Sequence, residues 1–423
     1  MKKNVLVFPC GSEIGLEVYR SLKHSIHFNL IGANSVDDHG RFVFENYVGN
    51  LPFANDNAFI PALKRVIKEH SIDIIYPAMD SVIAKLKEYE NELGCIVIGS
   101  PSVTSATCLS KRLTYKTLQG IVHIPVTFEK EEISSFPVFV KPNIGYGSRG
   151  AKKIDNAKQL MSHLEEYPDS IISEYLPGEE YTVDCFTDKE GRLLFCGPRL
   201  RNRISNGISV NTKPALTDND TVKEIAQKIN EALMFRGAWF IQLKKGVDGE
   251  LFLLEVASRL GGSSSLYRNK GINFAQMSLF DALGYPVEVL ENNYEIEMDR
   301  ALDNKYKLDI TYDEVYIDFD DCLFLNKKYY NTDVMAFLFK CINKGIKISI
   351  LSRHKEDLSE KLDQLHIRFL FDNVLHLTNG EKKSSYITNP NSIFIDDSFA
   401  ERKEVSLQKG IPVFGLDMLE CLI

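Results

Sequence analysis

The stretch Phe136-Pro-Val-Phe-Val-Lys-Pro-Asn-Ile-Gly-Tyr-Gly-Ser-Arg-Gly150 constrains this chain more than any other. Val138 to Val140 are β-branched or aromatic, as a short buried strand requires, and Pro142 ends the strand just after Lys141. Gly145, Gly147 and Gly150 follow in a loop that also holds Ser148, and its backbone N–H groups can approach a phosphate without Cβ interference. A G-x-G-x-x-G run that binds a dinucleotide opens directly into a helix. Here Ala151-Lys-Lys-Ile154 reads as a return strand, with a helix only from about Asn156. Strand, glycine loop and strand make a flap over phosphates, with Lys141 as the fixed cation beneath. An ordinary surface hairpin is the competing reading of this stretch taken alone.

A chain of 423 residues has room for two or three domains, each with its own core. Lysine and arginine number 50 against 58 aspartate and glutamate, a net charge of −8, so no nucleic-acid partner is expected. The apolar run Val5 to Pro9 is too short for a signal peptide, and Glu13 and Glu17 follow at once. No segment approaches the length of a membrane helix, so neither a membrane partner nor insertion is expected. Eight scattered cysteines without a CxxC pair read as reduced thiols, and the expected location is cytoplasmic.

Residues 1–110 alternate strands and helices, which predicts a doubly wound parallel sheet. Strands are expected at Asn4 to Phe8, Phe28 to Gly32, Ile72 to Tyr76 and Cys95 to Ile98, with Asn57 capping a helix to His70. Asp80 follows a strand's carboxyl end, where it reads first as a helix cap and second as a ligand contact. Residues 111–300 form a central α+β domain, with helices around Lys111 and Lys116 and a hairpin at Asp248-Gly249. Charge rises from Glu291 to Asp313, and a linker is expected there. Residues 312–423 resume an α/β pattern, enough for a separate Rossmann-like domain.

In the central domain, acidic residues fall at strand ends in the order that a nucleotide–metal site needs. Glu174 stands beside Tyr175 and Leu176, where a backbone hinge can meet an adenine edge. Glu180 follows a Pro-Gly turn and can accept ribose hydroxyls. Gln242 and Glu255 lie on adjacent hairpin strands, and Mg²⁺ takes hard oxygen ligands of this kind between carboxylate and phosphates. Arg259 can hold a transferring phosphate through two N–H donors. Lys111 reads as a solvated charge or a phosphate contact. Taken singly, each is a surface charge; the shared order is what argues for a site.

With the motifs Val138-Phe-Val-Lys-Pro, Ser173-Glu-Tyr-Leu-Pro-Gly-Glu-Glu-Tyr181 and Leu254-Glu-Val-Ala-Ser-Arg259, residues 1 to about 290 resemble the ATP-grasp superfamily, in its carbamoyl-phosphate-synthase-like branch. The resemblance implies that Lys141 binds the α/β-phosphates, Glu174 and Glu180 the adenosine, and Gln242 and Glu255 the metal. It implies ATP and Mg²⁺ as cofactors, with Arg201 or Arg203 near a reacting carboxylate. Ala257 stands where an Asn ligand is usual, which puts a second Mg²⁺ in doubt. The implied chemistry is an ADP-forming carboxylate–amine ligation through an acyl phosphate. Gly261-Gly262 and Ser263 to Ser265 would offer donors to the acyl oxygen.

A second constellation begins at Asp318-Phe-Asp-Asp321, which follows a hydrophobic strand. Neighbouring carboxylates repel unless a cation neutralises them. Ser352 ends the next expected strand, Lys383 opens a helix and Asp396-Asp397 ends another strand, so all can converge at one sheet edge. Unrelated caps and surface acids are the bland alternative. This segment resembles the haloacid-dehalogenase-like (HAD) phosphatases. The resemblance implies Asp318 as nucleophile and Mg²⁺ ligand, and Asp320 as general acid/base and ligand. It gives Ser352 and Lys383, with Lys382 a rival, as phosphoryl contacts, and Asp396 with Asp397 as metal residues. Cys322 departs from the usual threonine or valine, and the spacings leave no room for a cap domain.

The sequence therefore points to a bifunctional enzyme. Its expected partners are a small carboxylate and an amine for one site and a phosphorylated substrate for the other, with a homodimer compatible. A carbamoyl-phosphate-type or other acyl-phosphate synthase and a nucleotide-binding regulatory protein with a degenerate ligase site are the alternatives.

Overall fold

The structure, a computed structural model, describes residues 2–145, 147, 149–205, 207–215, 219–301 and 304–422. Its first sheet has five parallel strands in the order Asn46–Val48, Phe28–Ala33, Lys3–Phe8, Ile74–Pro77 and Ile96–Val97. Val5 and Val7 pack with Ile14, Val18 and Leu22 of the helix Glu13–Leu22, while Leu6 and Phe8 pack with Phe59 and Leu63 of the helix Phe59–Glu69. The central strand is thus buried on both faces, as an unbroken apolar run in a parallel sheet must be. Ser12 caps the first helix by accepting from the Gly15 N–H at 3.0 Å. The cap expected from Asn57 does not form, because Ala58 occupies that position without a side-chain bond.

The glycine flap lies in a four-stranded sheet ordered Thr127–Phe128, Ser170–Glu174, Val138–Pro142 and Lys152–Ile154. Val138 pairs with Ile154 in an antiparallel register, so the return strand forms where the sequence put it, and Asn156 caps the helix Ala157–Glu166. A larger sheet of seven strands follows, ordered Leu251–Ala257, Gly237–Lys245, Glu180–Thr187, Leu193–Ser205, Ile208–Pro214, Ile296–Arg300 and Asn304–Leu308. The expected linker from Glu291 is therefore wrong in its middle: Ile296–Arg300 and Asn304–Leu308 are the last two strands of that sheet, the second of them at its edge. Ile296 and Met298 alternate inward with exposed Glu297 between them, the period of two that a strand with one covered face shows.

The last sheet has five parallel strands, ordered Asn373–His376, Lys347–Ser352, Glu314–Ile317, Ser392–Ile395 and Val413–Phe414. Its central strand is wholly buried, which places Asp318 immediately beyond a covered carboxyl end. A small hairpin of Phe324–Leu325 with Tyr329–Tyr330 stands at the same edge. Arg268 joins the three parts. Its Nε donates to Glu17 of the first helix at 2.7 Å, and its Nη2 donates to Glu420 near the carboxyl end at 2.6 Å. Among the described residues no helix is long and apolar enough to cross a membrane, and all eight cysteines are free.

Candidate active sites

The seven-stranded sheet gathers the first site by register. Arg199 lies opposite Thr182, Thr182 opposite Gln242, and Gln242 opposite Glu255. Directly paired residues share a face, so these four side chains form one row across the sheet. Glu180 and Lys244 are paired in the neighbouring row.

Lys141 is buried beside this row, its Nζ donating to the Tyr115 hydroxyl at 2.7 Å and to the Leu254 carbonyl at 2.6 Å. Burial pushes its pKa down to about 8, against the pull of Glu255 and Glu180. A desolvated ammonium bonded only to neutral oxygens is a fit for phosphate oxygens. Burial also lowers the Lys111 pKa, with Glu255, Lys141 and Asp80 as its charged neighbours. Its Nζ reaches the Gly145 carbonyl at 3.5 Å, which ties the helix Lys111–Leu118 to the glycine loop. Gly147 and Gly150 have φ of 61° and 71°, left-handed values that favour glycine. The expected contact from Ser148 lies outside the described residues.

Tyr175 lies within reach of the flap, with the Lys153 ammonium 5.1 Å from its ring centre, and Leu176 is buried. Glu174 has a structural bond: its Oε1 accepts from the Val126 N–H at 2.8 Å and so pins a neighbouring strand. Glu180 faces the site but is paired, 2.9 Å from Arg201 Nε and 3.4 Å from Lys244 Nζ. Arg203 does not join the group. It points outward and donates to both carboxylate oxygens of Asp299, at 2.9 and 2.7 Å. Two bulges around Asn202 break the alternation that would have put Arg201 and Arg203 on one face.

Arg259 is held by Asp80, its Nε donating to Oδ2 at 2.8 Å while its guanidinium lies 5.3 Å from the Phe240 ring centre. Asp80 is therefore not a cap; Met79 holds that position, and the Asp80 carboxylate reaches across to the central sheet. The Gly261-Gly262 pair is needed for close approach, since a Cβ on Gly261 would meet Asp184 Oδ1 at 2.9 Å and one on Gly262 would meet Glu13 Oε2 at 2.7 Å. The hydroxyls of Ser263 and Ser265 donate to the Ser209 carbonyl and the Met298 sulfur, so they are not turned to an acyl oxygen. Ala257 is fully buried opposite Phe240.

At the C-terminal sheet edge, Lys383 Nζ lies 2.8 Å from Asp318 Oδ1 and 2.6 Å from Asp396 Oδ2. Asp318, Asp396 and Asp397 each place a carboxylate oxygen within 4.8 Å of the others. Burial raises all three pKa values, that of Asp396 to about 7 and that of Asp397 to about 6, and the Asp318 charge pushes both higher. The neighbouring Asp318 and Asp396 charges pull the Lys383 pKa up although its burial opposes them. Three carboxylates around one ammonium leave excess negative charge in a buried place, and hard oxygens so crowded fit a divalent cation such as Mg²⁺. Ser352 is buried at the end of its strand, and its hydroxyl favours the charged form of Asp318 against the effect of burial. Lys383, in a 3₁₀ turn and not the expected helix, is the buried lysine of the pair; Lys382 is exposed and 3.9 Å from Glu404. Cys322 is buried beneath the site.

Asp320 stands apart from that cluster, partly exposed, with its carboxylate 3.0 Å from His354 Nδ1. His354 was not read from the sequence, since nothing around Arg353-His-Lys marks it. The Tyr115, Asp184, Arg199 and Lys244 contributions were missed for a similar reason: each depends on cross-strand register or tertiary contact. Arg199 and Asp184 form a buried pair at 2.6 Å that fills the floor of the first site.

The chain has a mixed α/β fold with ATP-grasp-like neighbours. The structure is similar to biotin carboxylase from Campylobacter jejuni, with a TM-score of 0.60, 17% identity, and coverage of 71% of this chain and 76% of that one. It is similar to the L-amino acid ligase of Bacillus licheniformis at a TM-score of 0.59 and 19% identity, covering 71% and 79%. Residues 166–303 match the family described as ATP-grasp in the biosynthetic pathway with Ter operon. Among curated proteins, the chain is 26% identical to the formate-dependent phosphoribosylglycinamide formyltransferase of Bacteroides thetaiotaomicron, over 53% of this chain and 64% of that protein. It is 28% identical to the D-alanine–D-alanine ligase of Fusobacterium nucleatum, over 42% and 65%. The chain thus spans less than two thirds of the length of these curated relatives.

Proposed function

We propose that the chain is a bifunctional enzyme: an ADP-forming carboxylate–amine ligase joined to a Mg²⁺-dependent phosphatase. The observation that carries the ligase reading is the buried Lys141 ammonium, bonded only to neutral oxygens beside the Gln242–Glu255 pair. The likeness to ATP-using ligases supports it. ATP enters as a substrate, with its phosphates against Lys141 and the glycine loop. Glu255 and Gln242 would hold Mg²⁺, which supplies charge neutralisation on the phosphates. A substrate carboxylate displaces ADP at the γ-phosphorus, and an amine then displaces phosphate from the acyl phosphate. Arg259 and Lys141 offset the charge on the transferring group.

In the phosphatase reading, an Asp318 oxygen attacks the phosphorus of a monoester. The ester P–O bond breaks, and Asp320 protonates the departing oxygen. Asp320 then takes a proton from water, which attacks the aspartyl phosphate and releases orthophosphate. Lys383 and Ser352 hold the phosphoryl oxygens. Asp318, Asp396 and Asp397 would hold Mg²⁺, which supplies neutralisation of the attacked group. The test is release of ADP and phosphate from ATP across a panel of carboxylate and amine pairs, run with Lys141→Ala and Asp318→Asn. Loss of ADP release only in the first, and of monoester hydrolysis only in the second, is the expected pattern. Equal activity of either variant and the parent would refute the corresponding half.

A further inference from the structure

A cavity of about 710 Å³ opens where the C-terminal sheet meets the rest of the chain. Its apolar wall is assembled from distant segments: Met277 and Phe280 of the helix Phe274–Ala282, Tyr285 and Val287 just after it, and Phe399 and Met418 of the C-terminal part. Ile26 and His27 close it from the N-terminal part, with the His27 ring edge-on to Phe280 at 5.3 Å. Asp397 lines this cavity and also belongs to the carboxylate group of Asp318 and Asp396. Arg402, another lining residue, is fixed by the backbone carbonyls of Asp396 and Asp397, at 2.6 and 2.8 Å. The cavity and the proposed phosphatase site therefore share a wall.

We propose that this cavity receives the leaving group of the ester cleaved at Asp318, and that the substrate is a phosphate monoester of an apolar, ring-bearing alcohol. The inference rests on the phosphatase reading and deepens it. Asp397 places a carboxylate oxygen within 4.8 Å of one on Asp318 and also borders this space, so a group esterified to a phosphate at Asp318 has room to extend into it. That space is far larger than a phosphate and falls in the range of small-molecule pockets, roughly 300–1,000 Å³. A polar leaving group would lose hydration against Met277, Phe280 and Phe399 with little in return, whereas an aromatic body gains from burial and ring contacts. Met277, Phe280, Tyr285 and Val287, all outside the C-terminal segment, supply part of the cavity wall. The ester bond breaks with the pair leaving on the alcohol oxygen, Asp320 supplies its proton, and the ring-bearing alcohol departs through the cavity.

The test uses the full chain with 1-naphthyl phosphate and O-phosphoserine as paired esters, and 1-naphthylphosphonate as a non-hydrolysable probe titrated calorimetrically in the presence of Mg²⁺. The expected result is kcat/KM at least tenfold higher for the naphthyl ester, with that ratio falling at least tenfold in Phe280→Ala and in Met277→Gln. The phosphonate should bind the parent and bind Phe280→Ala at least tenfold more weakly. Circular dichroism and ADP release by the ligase half confirm that each variant is folded. Equal kcat/KM for the two esters, a preference that survives both cavity variants, or no phosphonate binding to the parent would overturn the inference. Hydrolysis that persists unchanged in Asp318→Asn would instead remove the phosphatase reading, and the phosphonate titration would still decide whether the cavity takes such a ligand.

Discussion

Asp80 and Arg259, 179 positions apart in the chain, meet in an ion pair of 2.8 Å that links the carboxyl edge of the first sheet to the end of the hairpin of Gly237–Lys245 and Leu251–Ala257. The pair joins the Leu260 carbonyl and the Phe240 ring in fixing the direction of that guanidinium. Asp80→Ala should leave the fold intact, because Asp80 caps no helix, but let Arg259 drift from the place proposed for the transferring phosphate. A displacement of about 1 Å can cost on the order of a hundredfold in rate. The expected change is in kcat, with KM for ATP nearly constant, and steady-state ADP release measures both. A change confined to KM would mean that Asp80 acts on nucleotide binding instead.

Arg268 is buried between Glu17 and Glu420 and so connects the first helix, the central region and the chain's last turns. Arg268→Ala would leave the buried Glu17 carboxylate uncompensated, and burial already pushes its pKa up. Removing one partner of a buried pair costs roughly 3–5 kcal/mol. Urea unfolding should show a loss of that order, with Glu17→Gln/Arg268→Met recovering part of it. A loss under about 1 kcal/mol would show that the three parts are held mainly by apolar contact.

Lys141 has its folded-state pKa lowered to about 8, chiefly by burial. Below that pH it is an ammonium, and above it the charge is lost. Nucleotide affinity should therefore fall as pH rises through about 8, and Lys141→Met should be weak and flat across the same window. The sign for stability is opposite: between about 8 and the ordinary lysine value the unfolded chain binds more protons, so the nucleotide-free protein gains stability with pH. Titrations of ADP from pH 7 to 9.5 and unfolding curves over that window check the two halves.

Asp396 and Asp397 titrate the other way. Their folded pKa values, raised to about 7 and about 6, favour the protonated forms, so the stability this lends is present at low pH and is lost as pH rises through 6 to 7. A divalent cation competes with those protons. The Tm increase produced by Mg²⁺ should be small at pH 5.5 and several degrees at pH 7.5, and Asp396→Asn should abolish most of it. A Tm shift independent of pH would place the cation elsewhere.

The motif that opens at Phe136 was legible because local chemistry sets it: Pro142 ends the strand, and Asn156 starts the helix. Asp318, Ser352, Lys383 and Asp396 were legible for a related reason, since three lie at the ends of apolar parallel strands that must be central. Charge misled the reading at Ile296–Arg300, where alternation marked a strand that the high charge concealed. The bulges near Asn202 have no sequence signal, so the outward turn of Arg203 could not be read. Asp80 and His354 act through contacts to residues far away in the chain, which periodicity does not encode.

The acyl phosphate is the centre of the account, and oxygen transfer tests it most directly. The substrate carboxylate is labelled with ¹⁸O, the pair that turns over is incubated with ATP and Mg²⁺, and the products are weighed by mass spectrometry. Attack on the γ-phosphorus predicts ADP, with one ¹⁸O from the carboxylate in each orthophosphate released. Label in AMP, with pyrophosphate as the other product, would contradict it.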